Sequence, residues 1–379
     1  MRKFVLKNGS LIDKNNHFLY TQSDILIENG IIQEIGFNLD LDCETVDAQG
    51  MLVSPGMIDI HVHTRASEEN RVVPDTLGCR RGATSTIECG TVAADGVREF
   101  AELAEKAQTR SFALLGAHSD HGMLRKEQID VENIHPEVFR KAVEEYPNLI
   151  VGLKCACSSS ITGDKGYDVV KKAKLIAREL NLPTTVHIGR FPPDPCTLAP
   201  LLESGDVITH TFHGKEISVF ENGGLPKKPF AEARERGVLF DVGHGRESFS
   251  WEVCKRALDH GFSPNLIGTD IYSANMDGPV HSLAVVMSKI MSLGMSLEDA
   301  VSCVTWKAAE TYRLQKLGQL RVGYLADFTL FTLEDGPFTV KDSYGNPQKL
   351  SKVIYPRKVV ISKGGTSKVF ECDQGHLKA

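Results

Sequence analysis

A chain of 379 residues that is 41% hydrophobic and 24% charged can bury a large core and suits one large domain with a smaller appendage. Its formal charge of -6 provides no basic field for nucleic acid or anionic lipid. No stretch approaches the roughly 18 apolar residues of a membrane span, so the expected partner is a small molecule.

The opening MRKFVLKNGSLIDKN is interrupted by Asn8, Gly9 and Asp13 before a signal-type apolar run can form. Residues 4–53 then carry short β-like runs, FVLKNG, DILIENG, IIQEIG and MLVS, separated by Gly and Asn turns. From Gly56 the pattern changes to strand followed by helix, repeated at intervals of roughly 25 to 35 residues, which is how βα units of a parallel sheet read. Eight strands are predicted: GMIDIHV, ATSTIEC, SFALLGA, LIVGLKC, PTTVHIG, DVITHTF, VLFDVGH and LIGTDIY. Among the intervening helices, 97–107 follows the N-cap candidate Asp95 and puts Val97, Phe100, Leu103 and Ala107 on one face. A second, 169–180, carries the stripe Val170, Ala173, Ile176, Ala177 and Leu180.

Eight such units predict an α/β fold, a (β/α)8 TIM barrel over residues 55–317. The tail returns to β-like text, GQLRVGYLADFTLF and KVIYPRKVVISKG, and is expected to join the N-terminal runs. The prediction is a small, discontinuous β-sandwich domain of residues 1–54 and 318–379. Nine cysteines, an odd number outside any short secreted framework, point to a reducing compartment and a cytoplasmic location.

Chemistry gathers at the C-terminal ends of the strands, where barrel active sites are built. His61 and His63 close strand one with period-two spacing, so both imidazoles point the same way. Lys154 ends strand four, His187 strand five, His210 strand six and Asp270 strand eight. An HxH pair arises easily by chance, but four histidines and an aspartate at one end of a barrel read as a metal site. Lys154 has no lone pair to offer while protonated. Deprotonated, it can add carbon dioxide to give a carbamate whose two oxygens bridge two metals; the plainer alternative is an ion pair in the barrel mouth. With the bridge, one metal takes His61, His63 and Asp270 and the other takes His187 and His210, with a hydroxide between them. Two Zn2+ suit these donors, and Mn2+, Co2+ or Fe2+ could replace them. Such a pair activates water and polarises a carbonyl, and Asp270 can carry the proton to the leaving group.

The segments SPGMIDIHVH, VGLKC, TTVHIG, ITHTFHG, GTDIY and GYLADFTLF resemble the amidohydrolase superfamily along essentially the whole chain. The strand-four lysine is similar to that of dihydroorotases, hydantoinases and a related deacetylase branch, and the resemblance assigns the metal-ligand roles to the same six residues. Departures narrow the reading. Mononuclear deaminases carry a glutamate three residues after the strand-five histidine, where Arg190 stands here. Arg65 in HVHTR matches the dihydroorotase HxHxR, yet Ala66 and Ser67 replace its acidic-Pro-Gly continuation, and Ile271 rather than histidine follows Asp270. The resemblance therefore implies a deacetylase-like enzyme that hydrolyses N-acyl amino acids or acylated hydroxy acids. The alternatives are a cyclic-amide hydrolase of the dihydroorotase or hydantoinase kind and a catalytically silent homologue.

Around the metals, His244 between Gly243 and Gly245 is a candidate donor to the substrate's carbonyl or leaving group. Arg65 and Arg190 are candidate carboxylate clamps, and Tyr272 is a candidate pocket wall. His118, His121 and His213 also follow strand ends and could support the site from behind. Cys155 and Cys157 are expected to be packing without chemistry. A homo-oligomer is a possible assembly.

Overall fold

The computed structural model describes residues 1–64, 72–118 and 129–373. Its first strands, β1 (Lys3–Asp13), β2 (Phe18–Glu28), β3 (Ile31–Gly36), β4 (Glu44–Asp47) and β5 (Leu52–Pro55), are short pieces separated by turns. The parallel series follows: β6 (Met57–Val62), β7 (Ala83–Cys89), β8 (Arg110–Gly116), β9 (Ile150–Cys157), β10 (Thr184–Ile188), β11 (Val207–Thr209) and β12 (Leu239–Phe240). Three long tail strands complete the chain: β13 (Phe328–Lys341), β14 (Pro347–Lys363) and β15 (Thr366–Glu371).

Strands β6 to β12 form one curled parallel sheet in sequence order, a TIM-barrel-like α/β arrangement. Every residue of β6, β7 and β9 is buried, as expected for strands covered on both faces. The predicted eighth strand is not a ladder. Residues 266–271 touch the two edges of the sheet through single bridges, Asp241 with Leu266 and Val62 with Ile271. The reason is visible in the backbone donors: Gly268 N is taken by Asp241 Oδ1 at 2.6 Å and Thr269 N by Asp59 Oδ1 at 3.1 Å. Side-chain carboxylates thus replace the strand partners that a ladder would need.

Helices pack outside this sheet. The predicted helix 97–107 forms as Val97–Lys106, capped by Gly96 with no side-chain cap bond, one residue beyond Asp95. The helix Gly166–Glu179 buries Val170, Ala173, Ile176 and Ala177 of the stripe read from the sequence, adds Val169, and leaves Leu180 half-buried as its C-cap. No helix among the described residues is long and apolar enough to cross a membrane.

The terminal segments share a single mixed sheet in the order β15-β14-β13-β5-β1-β2-β3, with β4 added on β1. They form one continuous hydrogen-bonded sheet, because β5 pairs with β1 on one side and β13 on the other. Its apolar core gathers Phe4, Leu6, Leu11, Ile25, Ile27, Phe328 and Leu330. The β13–β14 hairpin is long enough to leave this core. Its outer half contributes Val340, Leu350, Val353 and Ile354 to the barrel's own core, and Ile354 N donates to Ser288 Oγ of the helix Leu283–Ser292. The hairpin tip, residues 342–346, therefore arrives beside the barrel mouth.

Candidate metal centre

The strand ends bring the six predicted residues together. His61 Nε2 lies 3.3 Å from Lys154 Nζ and 3.5 Å from Asp270 Oδ1, and His63 Nε2 lies 2.9 Å from the same carboxylate oxygen. His61, His63 and Asp270 form a group in which one donor atom from each falls within 4.8 Å of the others. The ring of His210 is 5.1 Å from that of His61 and 4.2 Å from that of His187. The two non-glycine residues that end their strands here, His210 and Asp270, have φ of 66° and 51°. This left-handed backbone costs roughly 1–2 kcal/mol per residue, and such strain persists where the surroundings fix it.

The outer nitrogens show what the inner ones are for. His61 Nδ1 meets Thr209 Oγ1 at 3.1 Å, and that hydroxyl donates to Asp241 Oδ2 at 2.6 Å. His63 Nδ1 meets Glu88 Oε1 at 3.3 Å, while Glu88 Oε2 accepts from Thr64 N at 2.5 Å. His210 Nδ1 donates to the carbonyl of Gly243 at 2.6 Å. Each Nδ1 is thereby held from outside while Nε2 faces inward, the orientation that partners behind metal-binding histidines impose. Gly243 and Gly245, at φ 48° and 52°, let this happen. A Cβ on Gly243 would stand 2.9 Å from His210 Nδ1, and one on Gly245 would stand 2.3 Å from Asp270 Oδ2.

Protonation fits the same use. Burial, reinforced by neighbouring cations, pushes His61, His187 and His210 far down, so they are neutral lone-pair donors. Burial would also lower His63, but its bonds to Asp270 and Glu88 raise it to about 9. Burial raises Asp59 to about 7 and Asp241 to about 6 against their hydrogen bonds. Lys154 is buried, with Nζ between His61 Nε2 and Cys89 Sγ at 3.1 Å. Among the described residues it has no carboxylate at ion-pair distance, so the plainer alternative of a salt bridge finds no partner. Three neutral imidazoles, a fourth imidazole, a carboxylate and an unpaired lysine are a donor set that suits divalent metal.

The remaining candidates fall in different places. His244 does not face the converging ligands as a free donor. It is fully buried, its Nδ1 meets Gly245 O at 2.9 Å and its Nε2 accepts from Lys289 Nζ at 2.8 Å, so both nitrogens are occupied in holding the loop behind Asp270. Arg190 pairs with Glu247 at 3.0 Å, both largely exposed. Tyr272 is half-buried with its ring 6.2 Å from that of His63, a wall position. Arg65 and His121 lie outside the described residues. His118 is buried, and among the described residues neither ring nitrogen has a partner; burial together with Lys154 lowers it to about 4. His213 is buried as well, its Nδ1 accepting from Lys215 N at 3.1 Å. Cys155 and Cys157 are buried free thiols raised by burial, chemically quiet as expected.

Sequence reading missed Glu88, Thr209, Asp241 and Lys289. An acid within the apolar strand ATSTIEC was the available signal for Glu88, since a buried carboxylate requires partners. Lys289 gave none, because its partners come from three separate segments of the chain. A separate groove of about 620 Å³ opens at the other end of the strands between Lys174, Asp206, Asn265 and Trp306, where barrel residues serve stability. Lys174 there is already paired with Asp206 at 2.5 Å.

Comparison with known proteins gives consistent results. The sequence profile of the amidohydrolase family matches residues 227–366. A protein named deacetylase from Enterococcus faecalis is 36% identical over 84% of this chain and 88% of its own length. Another deacetylase, from Brucella anthropi, is 34% identical over 89% of this chain and 86% of its own length. Among solved structures, one described as a dihydroorotase superposes with a TM-score of 0.90 at 30% identity, covering 100% of both chains. One described as an adenine deaminase gives 0.89 at 33%, covering 98% of this chain and 100% of its own.

Proposed function

The chain belongs to the amidohydrolase family, and is a deacetylase-like hydrolase of carbon–nitrogen bonds; from that premise we propose that it is a binuclear zinc enzyme that removes an acyl group from an N-acyl amino acid or an acylated hydroxy acid. The observation that carries this reading is the convergence of four imidazoles, with the outer nitrogens of His61, His63 and His210 held from behind, on Asp270 and on a buried lysine that has no carboxylate at ion-pair distance among the described residues.

In the proposal His61, His63 and Asp270 hold one metal, and His187 and His210 the other. Lys154, once carboxylated on Nζ, would add an anionic carbamate to the same centre. When bound, such a pair supplies a water of lowered pKa and a polarised acyl carbonyl. The chain's own residues do the rest. Asp270, fixed by the bond from its N to His61 O at 2.7 Å and by Asn275 Nδ2 on its carbonyl at 2.8 Å, takes the attacking water's proton and delivers it to the leaving nitrogen or oxygen. Glu88 and the Thr209–Asp241 pair keep the imidazoles oriented during that transfer. Tyr272 narrows the approach beside His63.

Cyclic-amide hydrolysis is the second reading, favoured by the close superposition on a structure described as a dihydroorotase. Deamination fits less well, since the cation Arg190, engaged by Glu247, occupies the position where deaminases of this superfamily carry a glutamate. A hydrolysis screen on zinc-loaded protein with N-acetyl amino acids of both hands, O-acetyl hydroxy acids, dihydroorotate, hydantoins and adenine distinguishes the three. Turnover of the open-chain acyl compounds is expected; turnover of only the cyclic amides or of adenine would overturn the proposal. Lys154→Ala should release one or both zinc ions and abolish most turnover. A variant that keeps two metals and full activity would remove the carbamate from the account.

A further inference from the structure

Lys215 lies five residues beyond His210, in the loop that leaves β11. The loop is fixed just ahead of its Cα. Lys215 N donates to Nδ1 of buried His213 at 3.1 Å, and Gly214 N donates to the Tyr344 hydroxyl of the hairpin tip at 2.8 Å. The half-buried ammonium itself has little to hold. Its nearest acceptor is Ser248 Oγ at 3.5 Å, and among the described residues no carboxylate comes within ion-pair distance.

Away from the converging residues, the chain treats its buried lysines differently. Lys174 is neutralised by Asp206 at 2.5 Å, and Lys289 donates to three acceptors within 2.8 Å. Leaving a partly desolvated ammonium without an anion costs free energy that a ligand could recover. Its Nζ reaches toward Ser248, three residues beyond Gly245, whose Cα faces Asp270 Oδ2, and the loop that carries it leaves β11 directly after His210. That geometry puts it at the mouth of the barrel, beside the converging residues. Arg190, the clamp expected from sequence, is engaged by Glu247 at 3.0 Å.

We propose that Lys215 is the residue that selects substrates bearing a free carboxylate, pairing its Nζ with that group while the acyl carbon meets the metal centre. The inference rests on the acyl-hydrolysis reading and adds to it the source of acid specificity. Charge-assisted hydrogen bonds contribute enough that losing one costs about 10- to 100-fold in binding. The test compares kcat/KM on N-acetyl amino acids and O-acetyl hydroxy acids with kcat/KM on their primary carboxamides, for the wild type, Lys215→Met, Lys215→Gln and Lys215→Arg. In the Met and Gln variants the preference for acid over carboxamide should fall about 10- to 100-fold, mainly through KM. The Arg variant, which keeps the charge, should restore most of it. An unchanged preference in the Met and Gln variants overturns the proposal. If the wild type turns over none of these compounds, the hydrolysis reading falls, and the anchor is then judged by titrating a free 2-hydroxy carboxylate into zinc-loaded protein. Weaker binding to Lys215→Met than to wild type sustains the anchor, and equal binding removes it.

Discussion

Replacing Lys289 by Met isolates a charge that the fold buries completely. The lysine sits on the helix Leu283–Ser292 with no exposed surface. It donates to His244 Nε2 at 2.8 Å and to the carbonyls of Pro279 and Lys341 at 2.7 Å each, with the faces of Trp251 and Phe249 at 5.7 and 6.0 Å. Burial lowers its pKa from 10.5 to about 7, against the opposing pull of Asp342. The folded protein therefore sheds this proton before the unfolded chain does. Between about 7 and 10.5 the unfolded chain binds more protons, so raising the pH stabilises the fold. With those two values, linkage gives a gain of about 2 kcal/mol from about pH 7 to about pH 9, growing further toward 10.5. Lys289→Met has no such group. Urea unfolding of both proteins at the two pH values, followed by far-ultraviolet circular dichroism without added metal, yields four stabilities. Their double difference cancels most of what the two chains share. The expected result is a wild-type advantage, or a smaller deficit, that shifts by about 2 kcal/mol in favour of the wild type as the pH rises. A double difference near zero would refute the depressed lysine, and one of opposite sign would mean that the folded state holds the proton more tightly than the unfolded chain.

Two further substitutions probe the metal centre's supports. Glu88→Gln keeps the shape behind His63 but removes the charge; apparent zinc affinity, measured against a chromophoric chelator, should fall about 10- to 100-fold. Gly245→Ala sets a Cβ 2.3 Å from Asp270 Oδ2 at a φ of 52°, so kcat should collapse while thermal unfolding shows a loss of only about 1–2 kcal/mol. Equal turnover in this variant would show that the Asp270 carboxylate tolerates displacement.

What could be read from the chain was whatever repeats locally. Period-two spacing put His61 and His63 on one side of β6, and strand-end positions assembled Lys154, His187, His210 and Asp270 around them. The eighth strand was visible as the apolar run LIGTDIY, but its conversion to isolated bridges was not. That depends on Asp59 and Asp241 reaching across to Gly268 and Thr269, contacts between residues 27 to 210 positions apart. The same limit explains His244. A histidine between two glycines reads as an exposed donor until Lys289, 45 residues later, occupies its Nε2. Lys215 carried no pattern at all, since what distinguishes it is the missing anion around its ammonium.

The tip of the β13–β14 hairpin bears on the order in which the molecule is made. All six converging residues are part of the chain once Asp270 is synthesised, yet the loop behind that aspartate is still unsupported. Ser343 Oγ supplies the bonds to the carbonyls of His244 and Gly245 at 3.1 and 3.0 Å, and Ser343 N binds Phe249 O at 3.0 Å. Tyr344 accepts from Gly214 N, and Trp251 Nε1 donates to Asn346 O. More than seventy residues must therefore follow Asp270 before its surroundings become rigid. A nascent chain would carry the six converging residues as a loose set, and the finished geometry would arrive only with the last hairpin.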